Sequence, residues 1–459
     1  MSRRVLTLPL LAAAGALLLA GCGSSSSSSN VPDPDPTPPP PPAETSTVRV
    51  VHASADAPDV NVLVNSDIAF EGVPFGDASP LVELDSGDID VQVDGLLPGG
   101  DTATVIGPVT LTLEADTQYN VLAIGDVAAI EALVLSQEQI EVPGDEVRVR
   151  VVHAAPGAPE VDVYVTAPGD TLDDTPLGTF EFGGDLGPAQ VPEGDYRIRV
   201  TVAGTDTVVY DTGAIDLPGG ADLLIAAVTN TGPGDAPITL LVSDGNGALT
   251  LFDQETPADV RVVHNSPAPT PAVDVIVNDD FADPFVPNLA FPEFTPYVSV
   301  PPDVYNVKVT PSGNAGSIVI DADLDLEIGT ASTVIALGEL AEIQPLVLAD
   351  DNRRIATEAK VRLVHGASSA GEVDVYVVPA GEDFTAFDPA VPGFAFLDNT
   401  GYIALAEGEY DVFVTLTGTT TVAIEATIDI VEGGVYTAIA RDPLDDGSGE
   451  FGLILMDDF

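Results

Sequence analysis

Val48-Arg49-Val50-Val51-His52 occurs four times in this chain with a single change. The second and third copies are Val149-Arg150-Val151-Val152-His153 and Val260-Arg261-Val262-Val263-His264, and the fourth is Val361-Arg362-Leu363-Val364-His365. The phrases hold all 4 histidines of the chain, and successive histidines lie 101, 111 and 101 residues apart. A repeat of that period is one structural unit copied in tandem, long enough for a hydrophobic core of its own. Along a strand, side chains alternate between faces, so Val48, Val50 and His52 share one face while Arg49 and Val51 share the other.

Downstream of each phrase a short loop leads into a second alternating stretch. These stretches are Val60-Asn61-Val62-Leu63-Val64, Val161-Asp162-Val163-Tyr164-Val165, Val273-Asp274-Val275-Ile276-Val277 and Val373-Asp374-Val375-Tyr376-Val377. A phenylalanine follows (Phe75, Phe182, Phe291, Phe396), and 14 residues beyond it stands Ile89, Tyr196, Tyr305 or Tyr410. The residues two before those positions are Gly87, Gly194, Asp303 and Gly408, turn formers that feed a strand. The His-to-Phe distance varies from 23 to 31 residues, which marks a surface loop, and 166–188 reads as an insertion there. Short Val-, Ile-, Thr- and Tyr-rich runs broken by Gly, Pro and Asp predict strands throughout, about seven per unit. The expected fold is all-β: tandem antiparallel, immunoglobulin-like β-sandwich modules. The modules are placed at 47–142, 146–252, 258–352 and 359–459, each expected to fold alone because the junctions between them are polar.

The balance of 73 acids against 14 bases gives a formal charge of −59. Such a surface repels nucleic acid phosphates, so nucleic acid is excluded as a partner. The coat reads as solvated acid of the kind found in salt-loving organisms, with divalent-cation binding as the sharper alternative. One cysteine allows no intrachain disulfide.

That cysteine is Cys22. Arg3 and Arg4 precede an apolar run at 5–20, too short for a membrane span, which needs about 20 residues. The run closes in Leu19-Ala20-Gly21-Cys22, which resembles the lipobox of bacterial lipoproteins. The resemblance implies a signal peptide at 1–21, and a diacylglycerol thioether and an acylated (palmitate-type) amine on Cys22. More than one acyl chain on one residue anchors stably. Gly23, in place of Asp, favours the outer membrane by the same resemblance. Serines at 24–29 and a proline-rich run at 32–42 make 22–46 a disordered stalk.

The sequence Val-Arg-Val-Val-His, an Ala/Ser/Pro loop, Val-Asp-Val-Tyr-Val and a later Gly-x-Tyr strand resembles bacterial domain-of-unknown-function family 4397. The resemblance covers nearly all of the chain after the stalk, in four copies. It implies a β-sandwich at the cell envelope and supplies no functional residues. Copy 1 departs from the pattern at Asn61 and Ile89, and copy 3 departs at Pro302-Asp303.

Candidate chemistry is sparse. His52, His153, His264 and His365 are expected to close the core and bond loop backbone, since one histidine per module supplies only one metal ligand. Ser54 and Ser266 follow their histidines by two, but the matching residues are Ala155 and Ala367, so a hydrolase ranks a distant third. Arg49, Arg150, Arg261 and Arg362 are expected on an exposed face beside the Asp162, Asp274 and Asp374 strands, in weak cross-strand pairs. Asp321, Asp323, Asp325 and Glu327 share one strand face, and 445–450 is a dense acidic loop, but neither has calcium-loop spacing. No cofactor is expected, and calcium is the one cation the acids leave open. The expected protein is a lipid-anchored envelope protein, non-catalytic, serving adhesion, scaffolding or ligand display toward an envelope protein or glycan. The alternative is a calcium-dependent or glycan-binding array.

Overall fold

The computed structural model describes residues 44–172, 175–445 and 448–458. Cys22, the signal and the stalk up to residue 43 lie outside the described residues, as does part of the 445–450 loop. Thr45 and Ser46, assigned to the disordered stalk, are instead the start of the first strand, paired with Asp85 and Leu84. Among the described residues there is no α-helix, only strands and three short 3₁₀ turns.

The first unit shows the plan. Its strands are β1 (Thr45–His52), β2 (Val60–Val64), β3 (Asp67–Val73), β4 (Val82–Asp85), β5 (Gly87–Leu96), β6 (Thr102–Leu113), β7 (Thr117–Ile124) and β8 (Glu131–Glu138). They form two sheets, ordered β4-β1-β7-β8 and β3-β2-β5-β6. The third and fourth units repeat both orders strand for strand, and the second does so with additions at its edges. Val48, Val50, Val60, Val62, Ile89 and Val121 fill the space between the two sheets of the first unit. The inward positions of β1 are thus the valines that period-two alternation assigns to one face.

Each unit is a sandwich, antiparallel but for one pair: β1 runs parallel to β7, with Arg49 opposite Asn120. The same parallel pair recurs in the other three. The immunoglobulin order ABED over CFG therefore does not describe the connectivity, because the first strand here lies in the middle of its sheet. The segment 166–188 is also more than a loop. It carries the edge strand Gly178–Phe180 and the start of Asp185–Pro192, the counterparts of β3 and β4.

The outer face of the β4-β1-β7-β8 sheet is not solvated. Val51, Leu122, Ile124 and Leu135 pack against Val152, Leu224, Ala226, Val228 and Leu241 of the second unit. Val263, Ile335, Leu337 and Leu348 of the third unit pack likewise against Val364, Ile439, Ile454 and Met456 of the fourth. The chain is thus two back-to-back pairs, one and two, three and four, each with an apolar seam between sheets.

This seam sets the folding unit. Stripped of its partner, the third unit would expose four aliphatic side chains, each worth about 1.5–3 kcal/mol when buried, against a domain stability of roughly 5–15 kcal/mol. Residues 258–458 are expected to melt in one cooperative transition, and residues 258–352 alone to melt far lower or without cooperativity. Equal midpoints in calorimetry would show that the seam is dispensable.

Candidate functional site

The repeated phrase places two polar groups on opposite faces of β1, and each meets a different demand. His52 stands where β1 ends and the chain crosses to β2 on the other sheet. Its Nε2 donates to the Pro58 carbonyl at 3.0 Å, and its Nδ1 accepts the Ser54 N–H at 3.4 Å. His153 bonds Pro159 and Ala155 in the same way, and His264 bonds Pro271 and Ser266. His365 donates to Gly371 at 3.1 Å, but its buried Nδ1 has no partner.

A phenylalanine abuts each ring, edge-on in the first, second and fourth units and tilted in the third: Phe75, Phe182, Phe291 and Phe396 lie with centroids 6.2, 6.5, 6.3 and 6.4 Å from their histidines. The downstream phenylalanine of the sequence pattern is therefore the wall against which the imidazole rests. Ser54 Oγ donates to Gly125 O at 2.6 Å, and Ser266 Oγ to Gly338 O at 2.5 Å, so both hydroxyls are spent on loop carbonyls.

Burial holds His52 down to about 4, and it also lowers His153 and His264. An Nδ1 that accepts an N–H must stay unprotonated. The folded pKa is depressed below the unfolded value of about 6.5, so the unfolded chain binds more protons between about pH 6.5 and 4. Stability from these histidines is full above pH 6.5 and lost as pH falls. For His52 the loss is about 1.4 kcal/mol per pH unit. Urea unfolding between pH 7.5 and 5 should show a smaller acid-side loss in His52→Gln than in wild type. Identical slopes would remove His52 from the account.

The arginines do not sit on an exposed face. Arg49, Arg261 and Arg362 are almost fully buried, and Arg150 is 9% exposed, because the partner unit covers their sheet face. Each crosses the seam. Arg49 Nη1 donates to Ser243 O and Oγ of the second unit at 2.9 and 3.1 Å, and Arg150 Nη1 donates back to Ser136 O of the first at 2.9 Å. In the other pair, Arg261 meets Asp458 of the fourth unit, and Arg362 meets Asp350 of the third at 2.5 Å. Arg261 lies over the Tyr297 ring at 4.5 Å and Arg362 over Tyr402 at 4.7 Å. Thr333 and Thr437 Oγ1 accept from the same two guanidiniums. Arg49 has neutral acceptors only, Asn120 and Ser243, and burial lowers it to about 10.

Asp350 and Arg362 are both sealed, so removing one charge strands the other. Arg362→Met and Asp350→Asn should each cost about 3–5 kcal/mol. The double variant should cost less than the sum of the two. Additive losses in guanidinium unfolding would contradict a coupled pair.

Other repeated positions also serve the backbone. Asp374 Oδ1 accepts Gly393 N–H and Oδ2 accepts Gly418 N–H, both at 2.8 Å, clamping two turns. Asp274 clamps Asn288 and Gly313 in the same way. Asn61, with one carbonyl oxygen, holds only Gly72. The tyrosines of the Gly-x-Tyr strand, Asp-x-Tyr in the third unit, donate to the carbonyl four residues back: Tyr196 to Pro192, Tyr305 to Pro301, Tyr410 to Ala406. Sequence reasoning missed these roles, although the recurrence of Asp and Tyr at fixed offsets was the signal.

Of the acid ladder, Asp321 and Asp323 accept from Asn306 Nδ2 at 3.1 and 3.0 Å, and Lys308 bridges Asp279 and Asp321. Among the described residues no three His, Cys, Asp or Glu side chains are grouped to hold a metal ion.

A family model described as "Domain of unknown function (DUF4397)" matches residues 46–164 and 258–376. Each match spans one whole sandwich and runs into the Val-Asp-Val strand of the next, so it takes in both phrases of a pair. No curated protein matches the chain. Among solved structures, "The Bacillus anthracis TIE protein" is 12% identical, with 87% of this chain and 68% of that chain covered at a TM-score of 0.16. The product complex of "a multi-modular glycogen-degrading pneumococcal virulence factor SpuA" is 10% identical, with 82% and 37% covered at 0.15.

Proposed function

Since this chain belongs to the DUF4397 family, we propose that it is a non-catalytic scaffold or display protein of the cell envelope, all four of its units being copies of that domain. One observation carries the reading: in every unit the repeated histidine and arginine each hold a part of the fold itself. The histidines hold loop carbonyls and the arginines hold the neighbouring unit. What repetition preserves here is architecture, and what varies is the outer surface. That is the pattern of a rigid support.

The support is compact. The segment joining the third and fourth units docks on the histidine loop of the first. Arg353 Nη1 donates to Ala57 O at 2.7 Å, its guanidinium lies 5.5 Å from the Phe75 ring, and Ala356 N–H reaches Asp56 O. A block of four units on a lipidated Cys22 and the stalk that ends before Thr45 would stand off an outer membrane and meet an envelope protein or glycan. Its net charge of −59 keeps it off anionic surfaces.

Cell fractionation tests the anchor. Cys22→Ser should move the protein from the membrane fraction to the soluble one and abolish its labelling by a palmitate analogue. Membrane retention of the unlabelled variant would overturn the lipoprotein reading.

A further inference from the structure

The four sandwiches share one topology but not one interior. Cavities between the sheets measure about 110 Å³ in the first unit, 170 Å³ in the second, 360 Å³ in the third and 300 Å³ in the fourth. The register makes Val134, Val242, Val347 and Leu455 equivalent, each inward-facing on the edge strand. Their exposures are 40%, 9%, 49% and 52%. The second unit is closed by its own chain: the strand Ala248–Leu251 adds to that edge, and buried Tyr210 donates to Leu251 O at 2.8 Å. Among the described residues no such strand is added in the first, third or fourth unit, and the fourth unit's sheet order ends at Gly452–Asp457.

The fourth cavity has one further property. Its walls are hydrocarbon, including Val361, Leu363, Val375, Val412 and Ile428, and His365 lines it. His365 is 1% exposed. Its Nε2 already donates to Gly371 O, so Nδ1 carries a lone pair, and no donor meets it. In the other three units the N–H two residues onward supplies that donor. A buried acceptor without a partner, beside an apolar slot open at one edge, is a place for one donor on an apolar body.

The geometry points to a ligand site in the fourth unit for one uncharged hydrocarbon chain bearing a hydroxyl, inserted between the sheets, its O–H donating to His365 Nδ1. An anionic head is disfavoured because Asp429 and Asp457 line the same cavity and the chain carries −59. This site does not depend on the envelope reading.

Calorimetric titration of the full chain with straight-chain 1-alkanols from hexanol to decanol is the test. Affinity is expected to rise about fourfold per methylene, the factor for burying one CH₂, and to level off once the slot is full. Decanoate at pH 8 should bind at least tenfold more weakly than decanol. Leu455→Trp, at a half-exposed position that tolerates bulk, should abolish the binding, while Val347→Trp in the third unit should leave it intact. The proposal is overturned by absence of saturable heat, by decanoate binding as well as decanol, or by unchanged binding in Leu455→Trp.

Discussion

A guanidinium cannot discard its charge inside a protein, so a buried arginine dictates what must surround it. Four of them lie on the outward faces of four central strands, and each is accommodated by the unit behind. Arg261 and Arg362 exchange carboxylates, Asp458 and Asp350, across one seam. Arg49 and Arg150 exchange hydroxyl and carbonyl oxygens across the other. The aliphatic side chains around them supply the cohesion, and the arginines fix the register, because an offset partner would leave a cation unpaired in a dry interface. The two pairs solve one problem with different chemistry. The second pair uses ionic bonds with a tyrosine ring over each guanidinium, and the first uses neutral acceptors across the seam, with Asp185 of its own unit pairing Arg150.

Within a unit, the constraint is the crossing from one sheet to the other. A chain leaving β1 has backbone groups with no ladder partner, and buried backbone must be paired. The histidine at the strand's end takes a carbonyl six or seven residues on, and in three units an N–H two residues on. The aspartate of the next strand takes N–H groups from two turns, and a tyrosine closes the corner before the third long strand. Where a copy lacks the residue, the bond is lost with it. Asn61 holds one turn rather than two, and Ile89 simply packs in the core.

Much of the fold was legible because strand alternation is a local property. Val48, Val50 and His52 on one face and Arg49 and Val51 on the other follow from period two alone. What that period cannot say is what lies beyond each face. The non-histidine face held one arginine and one valine per phrase, which reads as solvent-facing in isolation. Only the tertiary arrangement reveals a second sheet there. The parallel pairing of β1 with β7 was equally hidden, since strand order depends on contacts between residues about 70 positions apart. The phenylalanine wall behind the histidine was visible as a recurrence, but its distance drifts with loop length, so its partner could not be named. The open edge of the fourth sandwich depends on the exposure of single residues such as Leu455, which no pattern encodes.

Reciprocal contact of like surfaces has a consequence for copy number. In each pair the same strand face of both members meets itself, with equivalent arginines reaching in opposite directions, which is the logic of a two-fold dimer written into one chain. Such a surface is saturated by one mate. A unit added singly would present an apolar sheet with a buried-type arginine to water, whereas units added in twos close on themselves. Growth of this architecture by duplication therefore proceeds by even steps, and a chain with an odd count would have to find its missing half in another molecule.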